Sequence, residues 1–178
     1  MKKLLIVGFV LIIVSLCSLL IFRGFFPKKY RSDIDIYAKE YNLSSTLVAS
    51  VINIESGYNE SAVSRVGAVG LMQLLPDTAY DCAKRIGISV TYEQLFDKST
   101  NLRLGCFYLR YLLDLFDDNL INALCAYNWG YGNVCNWIEL GNVDNEGTIT
   151  NIPVKETKDY LKKYKVCKFV YGKLYKYL

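Results

Sequence analysis

The sequence predicts an all-α domain, α+β at most, behind a single N-terminal apolar helix. Three observations carry this. Apolar residues recur at helical spacing in one segment after another from Ile34 onward. Glycine, proline and asparagine stand between those segments as breaks. No alternating run is long enough for a strand of normal length, and only the loop after Gly57 leaves room for a short β-like excursion.

Residues 4–22 contain 19 uncharged residues. As a helix they span about 28 Å, close to the hydrocarbon thickness of a bilayer. Lys2 and Lys3 precede the run and Arg23 follows it. No small-x-small cleavage site follows Phe22, so residues 1–23 are expected to be an uncleaved membrane anchor. Arg23, Lys28, Lys29 and Arg31 oppose the positive-inside rule, though a long domain can cross despite them. Residues 24–32 lack helical patterning and read as a linker, either against anionic head groups or as a solvated spacer. Residues 33–178 form the domain.

Ser32 or Asp33 opens a short helix to Tyr41, and Ser44 or Ser45 caps the next. In that helix Leu47, Val48, Val51, Ile52 and Glu55 share a stripe, and Gly57 stops it. Gly67 and Gly70 predict close backbone approach or positive φ. Pro76 fits the first turn of a helix that Gly87 ends. A short helix over Thr91–Phe96 precedes a longer one from Ser99, with Leu102, Cys106, Leu109, Leu112, Leu113 and Phe116 inward. Asn119 starts another, broken at Gly130-Tyr131-Gly132, and a further turn carries Val134, Trp137 and Ile138. After the polar loop 141–151, a last helix has Leu161, Tyr164, Cys167, Val170, Tyr171, Leu174 and Leu178 at helical spacing.

The net charge of +4 includes three charges flanking the apolar run, so the domain is nearly neutral and nucleic-acid binding has no electrostatic support. The absence of histidine excludes Ser-His and Cys-His nucleophile systems and imidazole metal sites. Of six cysteines, Cys106 and Cys167 sit on apolar stripes as core residues. The absence of C-x-x-C leaves zinc and thioredoxin-like chemistry unsupported, and no metal or cofactor is expected. The eight lysines between Lys155 and Leu178 form a solvated face or an attractor for anionic wall polymer.

Glu55 is the candidate for catalysis. A helix-end glutamate either swings to solvent or, on an apolar stripe, stays inward. Inward, burial and the negative end of the helix dipole both disfavour its charge and raise its pKa. A carboxyl held neutral near neutrality is what a general acid for glycoside cleavage needs. Most glycosidases pair two carboxylates. Glu60, Asp77 and Asp81 lie near in sequence, and no spacing selects one of them.

Glu55-Ser56, Ala62-x-Ser64-x-x-Gly67-Ala68-x-Gly70-Leu71-Met72-Gln73 and Pro76-x-Thr78-Ala79, followed by Ala126-Tyr127-Asn128 and Ile152-Pro153-x-x-Glu156-Thr157, resemble the soluble lytic transglycosylase family. The resemblance covers about residues 33 to 175 and implies a lysozyme-like helical domain that cleaves peptidoglycan glycan strands. It implies that Glu55 protonates the leaving oxygen and then, as carboxylate, deprotonates the C6 hydroxyl of the muramoyl sugar, which closes a 1,6-anhydro ring. It further implies substrate-binding roles for Ser64, Met72, Gln73, Tyr127, Asn128 and Glu156. Read as residues alone, Gln73 can cap its loop, Tyr127 and Met72 can be core, and Glu156 can be a helix N-terminal acid. Glu60 stands where the family often has proline, and Trp129 and Tyr131 replace smaller residues around Gly130. Two rivals remain: a goose-type lysozyme-like hydrolase on the same fold, and an inactive membrane-anchored wall-binding protein.

Overall fold

The structure, a computed structural model, describes the backbone of residues 2–176, with the side chains of residues 2–8, 10, 19, 21 and 176 left aside. Leu178 therefore lies outside the described residues. Eight α-helices are described: α1 Lys2–Phe25, α2 Arg31–Glu40, α3 Ser45–Ser56, α4 Pro76–Arg85, α5 Lys98–Leu115, α6 Leu120–Trp129, α7 Tyr131–Glu139 and α8 Lys155–Lys176. A single 3-10 turn, Glu93–Phe96, precedes α5. Residues 4–22 fall within α1, and among the described residues no helix is long and apolar enough to cross a membrane.

The helix that ends in Glu55 starts and stops for local reasons. Ser44 caps α3, its hydroxyl accepting from Leu47 N at 3.2 Å. Gly57 ends it in the left-handed conformation at φ 59°. Leu47, Val48, Val51 and Ile52 are buried, and the most extensive helix–helix packing in the molecule is that of α3 on α8. From α8 the buried Tyr160, Tyr164, Cys167 and Tyr171 join the same core. Each large apolar side chain so buried contributes about 1.5–3 kcal/mol.

Several element boundaries differ from the sequence reading. α1 runs to Phe25 and α2 starts at Arg31, so the non-helical connection is shorter than residues 24–32. The cap of α5 is Asp97, whose carboxylate accepts from Thr100 N at 2.8 Å, two residues ahead of Ser99. Of Gly130-Tyr131-Gly132, only Gly130 (φ 89°) breaks the chain, and Tyr131 and Gly132 already belong to α7. The β-like excursion is present as isolated antiparallel bridges, Val63 to Val69 and Val69 to Leu74. A third bridge, Val143 to Ile149, closes the polar loop before α8.

The core has two parts. The larger joins α2, α3, α5, α6, α7 and α8. The smaller gathers Val69, Leu74, Ala79, Cys82, Ala83, Leu95 and Leu104 under the loop and α4. Tyr108 and Tyr127 pack against both, their rings 5.5 Å apart, so they mark the seam. None of the six cysteines is paired, and Cys106 and Cys167 are buried as core residues. The segment after α1 is not a loose spacer. Asn53 Nδ2 donates to Phe25 O at 2.8 Å, Tyr171 Oη donates to Pro27 O at 3.0 Å, and the Phe26 ring meets Tyr171 edge-on.

Candidate active site

Glu55 sits in the last turn of α3, half-buried. Burial is the main cause pushing its carboxyl up, to about 7. The Glu156 carboxylate adds to the rise, while the Tyr160 phenol and the Lys163 ammonium oppose it. All three opposing or reinforcing groups lie on α8, so α8 adjusts an acidity that burial raises first. Glu60, Asp77 and Asp81 take no part in this environment.

Two tyrosines flank the acid, and their hydroxyls are used differently. Tyr127 Oη donates to Met72 O at 2.8 Å. Tyr160 Oη is buried with no partner at hydrogen-bonding distance, yet it approaches Glu55 closely enough to lower its pKa. Such contacts commonly tighten only when substrate closes the site. Both phenols are held well above their ordinary pKa by burial first and by Glu55 second, so both stay protonated donors.

The loop between Gly57 and Leu75 is fixed by a dense set of bonds. Asn101, fully buried at the start of α5, donates from Nδ2 to Leu95 O at 2.8 Å and Val69 O at 3.0 Å. Its Oδ1 accepts from Met72 N at 2.8 Å. Gly70 packs so closely on Asn101 that a Cβ there would fall 2.8 Å from Leu95 O, and its φ is 77°. Ser56 Oγ donates to Leu71 O at 2.8 Å and ties the loop to the end of α3.

The structure distributes the remaining sequence candidates as follows. Gln73, at φ 47°, turns its amide inward and donates to Gly70 O (2.9 Å) and Ala62 O (3.1 Å). Ser64 Oγ accepts from Ala68 N at 3.0 Å within the same loop. Asn128 Oδ1 accepts from the buried Thr157 Oγ1 at 2.8 Å, which ties α6 to the start of α8. Glu156 is exposed in the first turn of α8. The Met72 side chain is fully buried and lies against Gly105, so it is a core residue and does not line a groove. Gln73, Tyr127 and Asn128 do come together, in a cleft of about 320 Å³ whose wall also includes Trp129. Glu55 is not part of the cleft wall, but its charge reaches the Tyr127 phenol that is. A larger cavity, about 510 Å³, lies between α6 and α8 on another face and includes none of these residues.

Asn101, Tyr160 and Lys163 were not expected as site residues. Tyr160 was within reach of the pattern, since it continues the Tyr164–Cys167–Tyr171 stripe by one turn. Asn101 gave no local signal, because its partners lie up to 32 residues away.

A mostly helical fold with a half-buried acid beside a loop-walled cleft defines a lysozyme-like domain. The chain belongs to the Transglycosylase SLT domain family, which matches residues 32–148. It is 34% identical over 142 residues to the soluble lytic murein transglycosylase of Salmonella typhimurium, covering 77% of this chain and 22% of that protein. It is 31% identical over 161 residues to the membrane-bound lytic murein transglycosylase C of Shigella sonnei, covering 78% of this chain and 44% of that protein. Among solved structures, it resembles an inactive glutamate-to-glutamine mutant of lytic transglycosylase Slt from Pseudomonas aeruginosa. That match has a TM-score of 0.77 and 31% identity, over 85% of this chain and 25% of the other. A soluble lytic transglycosylase in complex with bulgecin A matches with a TM-score of 0.75 and 31% identity, over 84% of this chain and 25% of that one. The chain thus spans under half the length of these relatives.

Proposed function

We propose that this chain is a peptidoglycan lytic transglycosylase that cleaves the β-1,4 bond between N-acetylmuramic acid and N-acetylglucosamine. The observation that carries the reading is Glu55, a carboxyl raised to about 7 by burial, within the stretch that matches the family. Protonated, Glu55 gives its proton to the glycosidic oxygen as the bond to C1 breaks. As carboxylate it then takes the proton of the muramoyl C6 hydroxyl, and that oxygen bonds to C1. One proton leaves Glu55 and one returns, so the site is restored without water or a protein nucleophile. Of the substrate-binding candidates, Gln73, Tyr127 and Asn128 are supported by their shared cleft. The half-exposed Trp129 ring on the cleft wall suits stacking on a sugar face. Ser64 and Met72 act through the loop they stabilise, and Glu156 acts through its effect on Glu55.

A water-using hydrolase is the second reading. The specific observation in its favour is that Glu156 is near enough to raise the pKa of Glu55, so a second carboxylate is present.

Residues 1–23 are proposed as the anchor and residues 24–32 as the linker, which places the domain in the cell envelope facing the wall. The support is the uncharged run of residues 4–22 and the printed name of the membrane-bound relative. The test of the catalytic reading is muropeptide release from purified wall by wild type and Glu55→Gln. The variant should lose roughly two to four orders of magnitude in turnover. A fully active Glu55→Gln enzyme overturns both enzyme readings.

A further inference from the structure

Helix α8 carries more positive charge than its packing uses. Its two acids, Glu156 and Asp159, lie near its N-terminus, and Asp159 is paired with Lys155 and Lys162. Beyond Tyr160 there is no acid on the helix. Lys165, Lys168 and Lys173 are exposed and in no ion pair among the described residues. Two apolar side chains stand out among them, Val166 at 55% and Phe169 at 69% exposure. Positions 166, 169 and 173 advance by three and four residues and so share one face. The Lys173 ammonium lies 5.9 Å from the Phe169 ring centroid.

An isolated exposed apolar residue needs no explanation. This pair is different because it continues onto α1. Phe25, 70% exposed at the end of α1, borders the same shallow groove as Val166. The bonds of Asn53 to Phe25 and of Tyr171 to Pro27 hold the two elements side by side.

We propose that this face, with Phe25, Val166 and Phe169 at its centre and Lys165, Lys168 and Lys173 around them, docks on the anionic phospholipid surface next to the anchor. The proposal rests on the anchor reading of α1. Lysine stems lie along apolar surface while their ammonium groups reach the phosphate layer, and aromatic and aliphatic tips enter the acyl boundary. The acid-free charge of the face complements anionic headgroups, and the end of α1 brings it to them. Docking fixes the direction in which the cleft faces. Glu156 is 13 residues before Phe169 on the same helix, about 20 Å along it.

The test uses the full chain reconstituted in phosphatidylcholine vesicles with and without phosphatidylglycerol, with brominated acyl chains. A Phe169→Trp variant reports contact, and Leu140→Trp, 69% exposed just after α7, serves as the off-face control. Quenching of Phe169→Trp should rise at least about two-fold with phosphatidylglycerol and fall with salt, as for a polybasic surface. Leu140→Trp should not change. Replacing Lys165, Lys168 and Lys173 by Glu should abolish the quenching and leave turnover of soluble glycan fragments intact. Equal quenching of the two variants, or independence of headgroup charge, overturns the proposal. Salt-resistant flotation with an unquenched Phe169→Trp retains the anchor and rejects the docking. Failure to float with vesicles rejects both. Loss of wall-polymer binding in the lysine variant with unchanged quenching assigns the face to the wall and also overturns the proposal.

Discussion

The loop from Gly57 to Leu75 and the first turns of α8 flank Glu55 and use their polar groups in opposite ways. On the loop side the polar side chains are occupied: Gln73 by Ala62 and Gly70, Ser64 by Ala68, Asn101 by three backbone groups, and Tyr127 by Met72. On the α8 side the Tyr160 hydroxyl has no partner, Glu156 is exposed, and both act on the acidity of Glu55. The loop therefore gives the site its shape, and α8 adjusts the proton affinity of an acid that burial has already raised. Substitutions on the loop side should cost stability, and those on the α8 side should move the pH profile.

Glu55→Gln should break the comparison most strongly, because Glu55 belongs to neither side and is the acid and base of the proposed mechanism. Beyond its loss of turnover it should change stability with a definite sign. The folded pKa of about 7 exceeds the ordinary 4.5, so the folded state binds the extra proton and loses stability as pH rises between those values. Above about pH 7 the charged, half-buried carboxylate costs the fold up to ~3 kcal/mol. Glu55→Gln should therefore melt higher than wild type at pH 8 and about equally at pH 4, as thermal unfolding would show.

Asn101→Ala leaves the Leu95 carbonyl and the Met72 amide without partners, while Val69 O keeps only the Leu74 N–H. It should cost about 2–3 kcal/mol in denaturant unfolding, with loss of activity following loss of the loop. A variant of unchanged stability would mean the loop does not depend on this anchor. Tyr127→Phe should lower turnover about ten-fold and stability by about 1 kcal/mol, since it removes the donor to Met72 O. Unchanged activity would return Tyr127 to plain packing.

The smallest effects are the sharpest. The proposed mechanism requires Glu55 protonated, so kcat/KM should fall as pH rises through about 7. Glu156→Gln removes a charge that raises this pKa, so the alkaline limb should move to lower pH. Tyr160→Phe removes a donor that lowers it, so the limb should move to higher pH. Shifts in the same direction would contradict the assignment of acidity control to α8.

Much of this division was legible before the structure. The stripe from Leu47 to Ile52 and the stop at Gly57 placed Glu55 inward, because helix periodicity and left-handed caps are local properties. Gly70 was legible as a close approach, though its partner was not. The burial of Met72 was harder to read, because it depends on Asn101 and Gly105, contributed by a helix about thirty residues on. Tyr160 escapes the sequence reading because the apolar stripe of the closing helix starts at Leu161, which is half-buried, next to the more buried Tyr160. Boundaries such as Asp97 and Gly130 shifted by a residue or two because several residues there are competent caps.

The central claim is that Glu55 serves as acid and then base while the sugar's own C6 hydroxyl is the nucleophile. Digestion of purified peptidoglycan in heavy-oxygen water, followed by mass spectrometry of the released muropeptides, tests it most directly. The account predicts 1,6-anhydromuramoyl ends that carry no heavy oxygen. Reducing ends labelled with heavy oxygen would show that water attacks C1 and would make the hydrolase, with Glu156 as second carboxylate, the correct reading.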